Sequence, residues 1–334
     1  MRLKKRFLIP AALFGVALLG PRPDFVAVNG ALSAAPAGVE ELQQFVENRE
    51  ATVENLKPDN ESRIVWADSV RKTPLSVVYL HGFSASPMEG DPIIFEVAER
   101  YGANLYAPRL PHHGIGGDSI FATLTPAELV DAAAEAIAIG QELGEEVILI
   151  SCSTGATIGN FVAAQNPGAV RAQVMYSPNF ALSSGAASLM NGPWGQQIIR
   201  TMESGEYHVW SDPDQPLNDQ YWTTRYHNNG LIALQDLIEQ TMTDETFAAI
   251  EHPVFVGYYY RDDEHKDEVV SIDAMKHYIK TVGTPDDQKV LRAFANANEH
   301  VIASKLKSDD LPAVRAATFD FLDKIVGLSA VSAR

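Results

Sequence analysis

Ser153, Asp267 and His300 are the three residues whose types and order suit a nucleophile with its base and orienting acid. A serine hydroxyl attacks poorly unless a base takes its proton, and an imidazole serves as that base only when a third group fixes its tautomer. Ser153 is the centre of Ser151-Cys152-Ser153-Thr154-Gly155, which follows the apolar run Glu146 to Ile150 and opens an Ala/Gly-rich helical stretch. Where a strand turns abruptly into a helix, the third turn residue is strained and exposed, and the residues two positions to either side must be small. Ser151 and Gly155 meet that requirement. The plainer reading of the five residues is a Ser/Thr-rich loop that caps the helix starting near Ala156.

Of the nine histidines, His300 is placed best. It lies in Ala295-Asn296-Ala297-Asn298-Glu299-His300-Val301-Ile302, after the last expected strand and before the last long helix, where a loop residue can reach across the strand ends. His208, His227, His252, His265 and His277 suit solvated or capping roles. The acid is sought after the run Val254 to Tyr260, where residues 261–271 offer five carboxylates. Asp267 is preferred because Val269 and Val270 can anchor the loop and Ser271 can cap the helix that follows, while Asp262 to Glu264 stay mobile. Asp263 is the alternative, and most of the run reads as a solvated acidic loop.

Charge that develops on a carbonyl oxygen needs preorganised donors. His81-Gly82-Phe83-Ser84 follows the run ending at Leu80, and Gly82 permits a tight turn that aims the Phe83 N–H at a substrate carbonyl. The N–H of Thr154, next to the serine, is the second donor.

These residues must be held by a scaffold, and the pattern specifies one. Short β-type apolar runs (Leu75 to Leu80, Asn104 to Ala107, Glu146 to Ile150, Ala172 to Tyr176, Pro253 to Tyr260, Lys289 to Phe294) alternate with helical stretches. The helical stretches include Val39 to Asn55, Pro126 to Leu143 with Thr125 and Glu128 as a capping pair, Gly155 to Gln165, Ile272 to Lys280 and Leu311 to Ile325. Such alternation predicts an α/β fold, a mostly parallel sheet with helices on both faces. It breaks between Tyr176 and Pro253, a stretch too long for an ordinary connection, so residues 178–251 are expected to form an inserted cap. The core is expected over 38–177 and 252–334. Trp194, Trp210 and Trp222, with Met190, Met202, Tyr207, Tyr221 and Tyr226, make the cap suited to an apolar pocket, or give it a small core of its own.

Composition narrows the setting. The chain has 334 residues, 46% hydrophobic and 21% charged, enough to bury a large core. Its net charge of −17 makes nucleic acid and anionic membranes poor partners. Residues 1–37 read as an export signal: Arg2, Lys4, Lys5 and Arg6 precede the apolar run Phe7 to Gly20, and small residues at Ala31 to Ala37 offer a cleavage region near which the mature chain is expected to begin. The expectation is export to a periplasmic or extracellular space, with an uncleaved N-terminal anchor as the alternative. Cys152, the single cysteine, has no intramolecular partner and is expected to pack as a small buried group.

Together the His-Gly-Phe turn, the loop Pro108-Arg109-Leu110-Pro111-His112-His113-Gly114, the serine pentapeptide, the Asp-Glu-Val-Val-Ser segment and the Glu-His-Val histidine resemble the α/β-hydrolase family, in its order of oxyanion turn, serine, acid and histidine. The resemblance spans about Leu75 to Ile325 and is nearest to the capped carboxylesterases and monoacylglycerol lipases. Leu110, Pro111, His113 and Gly114 match the family's L-P-G-H-G loop, with His112 in place of a glycine; Ser151 replaces the first elbow glycine, and the acid loop is longer than usual. A serine at the elbow tip argues against dehalogenase or epoxide-hydrolase chemistry. The resemblance implies ester hydrolysis on an apolar, lipid-like or other small-molecule substrate, with catalytic Ser153, Asp267 and His300 and with Phe83 and Thr154 as oxyanion donors. No metal or organic cofactor is called for. Peptide, amide or thioester hydrolysis on the same groups, and a non-catalytic binding protein of this fold, are the competing readings.

Overall fold

The computed structural model describes residues 19–35, 38–211, 215 and 217–331. The strands run in chain order β1 (Arg63–Val65), β2 (Thr73–Leu80), β3 (Asn104–Ala107), β4 (Gly144–Cys152), β5 (Ala172–Tyr176), β6 (Tyr207–Val209), β7 (Arg225–His227), β8 (Val254–Tyr259) and β9 (Lys289–Phe294). Seven of them form one sheet in the order β1-β3-β2-β4-β5-β8-β9. Only β1 is antiparallel to its neighbour, and the other pairs are parallel.

The helices are α1 (Val39–Ala51), α2 (Ile93–Tyr101), α3 (Pro126–Leu143), α4 (Thr154–Gln165), α5 (Gly195–Met202), α6 (Asn218–Tyr221), α7 (Asn229–Thr241), α8 (Asp244–Ala248), α9 (Ile272–Thr281) and α10 (Leu311–Lys324). Side-chain alternation along the strands explains why they lie in two layers. Val78, Leu80, Val147, Leu149, Val254 and Val256 join one apolar cluster with residues of α1, α3, α4, α8 and α9. Val77, Tyr79, Ile148, Ile150, Val174 and Phe255 join the other, with α2 and α10. A sheet buried on both faces needs continuous apolar runs, the feature that made these strands readable in the sequence.

The α3 start follows its sequence signal: Thr125 Oγ1 accepts the Glu128 N–H at 3.3 Å, and Glu128 Oε2 accepts the Thr125 N–H at 2.9 Å. The chain goes from β2 outward to β3, then crosses back over β2 to β4 and continues the other way. The carboxyl ends of β2 and β4 therefore flank a point where strand order reverses, where open α/β sheets form their ligand crevice.

The long interruption between β5 and β8 holds the β6–β7 ribbon and helices α5 to α8. Two backbone bonds tie this segment to the rest of the chain: Thr223 N–H, ahead of β7, donates to Ser84 O at 2.6 Å, and His227 N–H at the end of β7 to Ile120 O at 2.9 Å. Ala187, Met190, Ile199 and Ile232 form a small apolar cluster of the cap itself, while Trp194 and Met202 are exposed. Trp222 is buried against the core instead.

Ahead of α1, residues 20–35 lie along the surface as a strap. Trp194 N–H donates to Pro21 O at 2.8 Å, Val28 N–H to Gln240 Oε1 at 2.9 Å, and Leu32 N–H to Asn166 Oδ1 at 3.3 Å. Phe25 packs on the cap's own cluster. The basic and apolar start of the export signal lies outside the described residues, as do Pro36 and Ala37 at the end of the expected cleavage region. Among the described residues no helix is long and apolar enough to cross a membrane.

Candidate active site

Ser153 lies at the junction of β4 and α4, with φ 50° and ψ −117°. That conformation is sparsely populated for a non-glycine residue and costs about 1–3 kcal/mol, which the surrounding structure must overcome. It does so through the backbone: Ser153 N–H donates to Tyr176 O at 3.0 Å, and Ser153 O accepts from Asn179 N–H at 3.1 Å. Gly155 is required by close approach, since a Cβ there would sit 2.0 Å from Leu80 O and 2.7 Å from His81 O. Ser151 continues β4, paired with Leu80, and its side chain is buried.

His300 reaches this junction from the far end of the chain. Its backbone O accepts from Ser177 Oγ at 2.6 Å, so Ser153 and His300 are fastened to the consecutive residues Tyr176 and Ser177. The imidazole Nδ1 is 2.7 Å from Asp267 Oδ2, and the Asp267 side chain is fully buried. Nε2 is buried with no hydrogen-bond partner among the described residues.

Asp267 is fixed in turn by two N–H groups, those of Val269 at 2.9 Å and Val270 at 3.2 Å, both donating to Oδ1. Val270 is buried and anchors the loop, whereas Val269 is exposed and contributes only its N–H. Ser271 caps α9 by accepting the Ala274 N–H at 3.2 Å. Asp263, the other carboxylate considered, lies exposed beside the Tyr260 hydroxyl and has no contact with His300.

The charges of the pair support each other. Burial pushes the Asp267 carboxyl up, but the His300 charge and hydrogen bond and the two N–H donors outweigh it, and the net shift is downward. Burial likewise pushes the His300 imidazole down, and Asp267, followed by Glu89 and Glu299, reverses this into a net rise. Cys152 is buried, and burial followed by the charges of Glu89 and Asp267 keeps its thiol protonated.

The expected oxyanion donors are free. The Phe83 N–H makes no hydrogen bond among the described residues, and Thr154 opens α4, where the first N–H groups have no partner within the helix. The turn carrying Phe83 is braced from both sides. Leu110 N–H donates to His81 Nε2 at 3.0 Å, so Nδ1 carries the proton and donates to Gly82 O at 2.8 Å. Burial lowers His81 to about 4, which keeps it neutral in this role. Glu89, not singled out from the sequence, accepts the Gly82 N–H at 2.7 Å.

Phe83, Phe121 and Tyr226 stack beside the turn, with centroids 4.7 to 5.5 Å apart. A separate hollow, lined by Trp66, Phe95, Tyr101 and Phe319 among others, includes none of these residues; it lies at the amino end of β2, away from the crevice.

A family model described as the alpha/beta hydrolase family matches residues 77–303. The chain belongs to the alpha/beta hydrolase family. Among solved structures, this hydrolase is similar to a metagenome-derived lipolytic enzyme from the LipS and LipT pair, at TM-score 0.65 and 15% identity over 80% of this chain and 99% of that one. It is also similar to the monoacylglycerol lipase of Paleococcus ferrophilus, at TM-score 0.56 and 17% identity over 78% and 97% of the two chains. A third likeness is to Est1E of Butyrivibrio proteoclasticus, solved with ferulic acid, at TM-score 0.52 and 16% identity over 80% and 95%. At these identities the likeness is one of fold. No curated protein matches the chain.

Proposed function

We propose that this hydrolase cleaves carboxylic esters with an apolar acyl or alcohol part through an acyl-enzyme on Ser153. The observation that carries the proposal is the Asp267–His300 hydrogen bond at 2.7 Å, with Nε2 buried and unpartnered beside the residues that hold Ser153. Asp267 holds the proton on Nδ1, which leaves Nε2 as the base. Nε2 takes the Ser153 proton as Oγ attacks the carbonyl carbon, and the N–H groups of Phe83 and Thr154 receive the negative oxygen. The imidazolium then protonates the leaving alcohol, and water activated by the same nitrogen releases the acid.

Cleavage next to a free amine would need a cap carboxylate available to bind it. Glu203 is paired with His208 at 2.8 Å, Glu206 with Arg200 at 2.9 Å, and Asp219 accepts from Thr224 Oγ1 at 2.7 Å. Asp236 accepts from Gln240, and Asp212 and Asp214 lie outside the described residues. Of these, the pairing of Glu206 with Arg200 supports esters over aminoacyl substrates. The test compares p-nitrophenyl esters of several chain lengths with aminoacyl anilides, alongside fluorophosphonate labelling of wild type, Ser153→Ala and Cys152→Ala. Ester preference with label lost only in Ser153→Ala is expected. Anilide preference overturns the ester claim, and an unlabelled wild type favours a binding protein.

We also propose export directed by the basic and apolar start of the chain. Cleavage is proposed within the small residues Ala31 to Ala37, with an uncleaved anchor as the alternative.

A further inference from the structure

One buried carboxylate is left unused by this chemistry. Glu89 sits in the short turn Pro87–Gly90, 2% exposed. Its Oε2 accepts both the Gly82 N–H at 2.7 Å and the Tyr79 hydroxyl at 2.9 Å. A Cβ on Gly82 would lie 2.9 Å from Glu89 Oε1 and 3.3 Å from Ser153 Cβ. One glycine thus separates the carboxylate from the serine, with no room for any larger residue.

Burying a carboxylate is costly unless a positive charge faces it. Among the described residues no lysine or arginine pairs with Glu89; burial pushes its carboxyl up, and the Gly82 N–H, the Tyr79 hydroxyl and the charge of His300 oppose that rise without reversing it. The two hydrogen bonds do not explain a charge, because a glutamine oxygen would accept the same N–H and O–H.

We propose that Glu89 is a positioning residue with two effects: it holds the turn that presents the Phe83 N–H, and its negative charge, together with Asp267, stabilises the imidazolium of His300 during acyl transfer. This rests on the serine-hydrolase reading above. The groups that face His300 are Asp267 from the loop before α9, Glu89 from its turn, and Glu299 beside it in its own loop. Those that face Glu89 are Tyr79 of β2, Cys152 of β4 and His300. Asp267 touches the imidazole directly, and Glu89 acts on it through charge from beyond Gly82 and Ser153.

The test is the pH profile of kcat/KM for a p-nitrophenyl ester with wild type, Glu89→Gln and Glu89→Asp, together with fluorophosphonate labelling of each. Glutamine keeps the hydrogen bonds and removes the charge. It should lower kcat on the order of tenfold with KM little changed, and move the acid limb down by roughly half a pH unit or more, because loss of a neighbouring anion weakens the protonated imidazole. Aspartate keeps the charge but shortens the reach to Gly82, so its acid limb should stay near that of wild type while kcat falls. An unmoved acid limb in Glu89→Gln, with labelling intact, overturns this inference alone. An unlabelled wild type overturns the serine reading and this inference with it. If Glu89→Gln does not fold, an acid limb in Glu89→Asp well below that of wild type overturns the charge effect.

Discussion

Replacing Asp267 by asparagine changes one atom and should nearly abolish turnover. Asp267 Oδ1 accepts two backbone N–H groups, from Val269 and Val270, and Oδ2 faces His300 Nδ1 at 2.7 Å. An asparagine placed here puts its oxygen against the two N–H donors, since an amide nitrogen would clash with both. Its NH2 then points at Nδ1, which must accept, and the imidazole proton moves to Nε2. A protonated Nε2 cannot take the Ser153 proton. Loss of the correct tautomer in a serine triad costs about 10⁴ in kcat, or about 5.5 kcal/mol of barrier. The assay is steady-state hydrolysis of a short p-nitrophenyl ester, with thermal unfolding to show that the fold is kept. Asp263→Asn is the matched comparison, because Asp263 is exposed beside Tyr260, and it should stay within about twofold of wild type. Asp267→Asn within tenfold of wild type, or Asp263→Asn losing as much as Asp267→Asn, would refute the reasoning.

Further outcomes follow from the same geometry. His300 must be neutral to act as base, and its pKa is raised above the ordinary 6.5, so kcat/KM should fall as pH drops through a midpoint above that value; a midpoint at or below 6.5 contradicts the ion-pair account. Gly155→Ala forces a methyl to within 2.0 Å of Leu80 O, and urea unfolding should show a loss of roughly 3 kcal/mol together with loss of fluorophosphonate labelling. Deleting residues up to Leu32 from the full chain should lower the midpoint of thermal unfolding by several degrees, because it removes Phe25 from its apolar cluster and the bonds to Trp194, Gln240 and Asn166; intact-mass measurement of the exported protein should find a chain that begins near Ala31 to Ala37.

The central strands were legible because a sheet covered on both faces needs mostly apolar runs, and β2 to β5 and β8 each carry one; β9, Lys-Val-Leu-Arg-Ala-Phe at the sheet edge, has only Phe294 buried. The start of α3 was legible for a local reason, its Thr125–Glu128 box. Three-residue strands were not: β1, β6 and β7 carry arginine, histidine and tyrosine and exist only because a partner strand lies alongside. Helix α2 also escaped notice, since it is short and follows a Pro- and Gly-rich turn. At the site, Ser153 and His300 could be found from their places at strand ends. Asp267 was separable from its acidic neighbours through the valines and Ser271 after it, although only Val270 is buried. Glu89 gave no such sign. A carboxylate between methionine and glycine in a loop looks solvated, and its burial depends on Tyr79 and Gly82, which only the folded turn brings to it.

The strap of residues 20–35 joins Trp194, at the start of α5, to Asn166, just past the end of the helix that begins beside Ser153. A change in the packing of residues 20–35 therefore bears on two distant places at once, the start of α5 and the turn that follows α4.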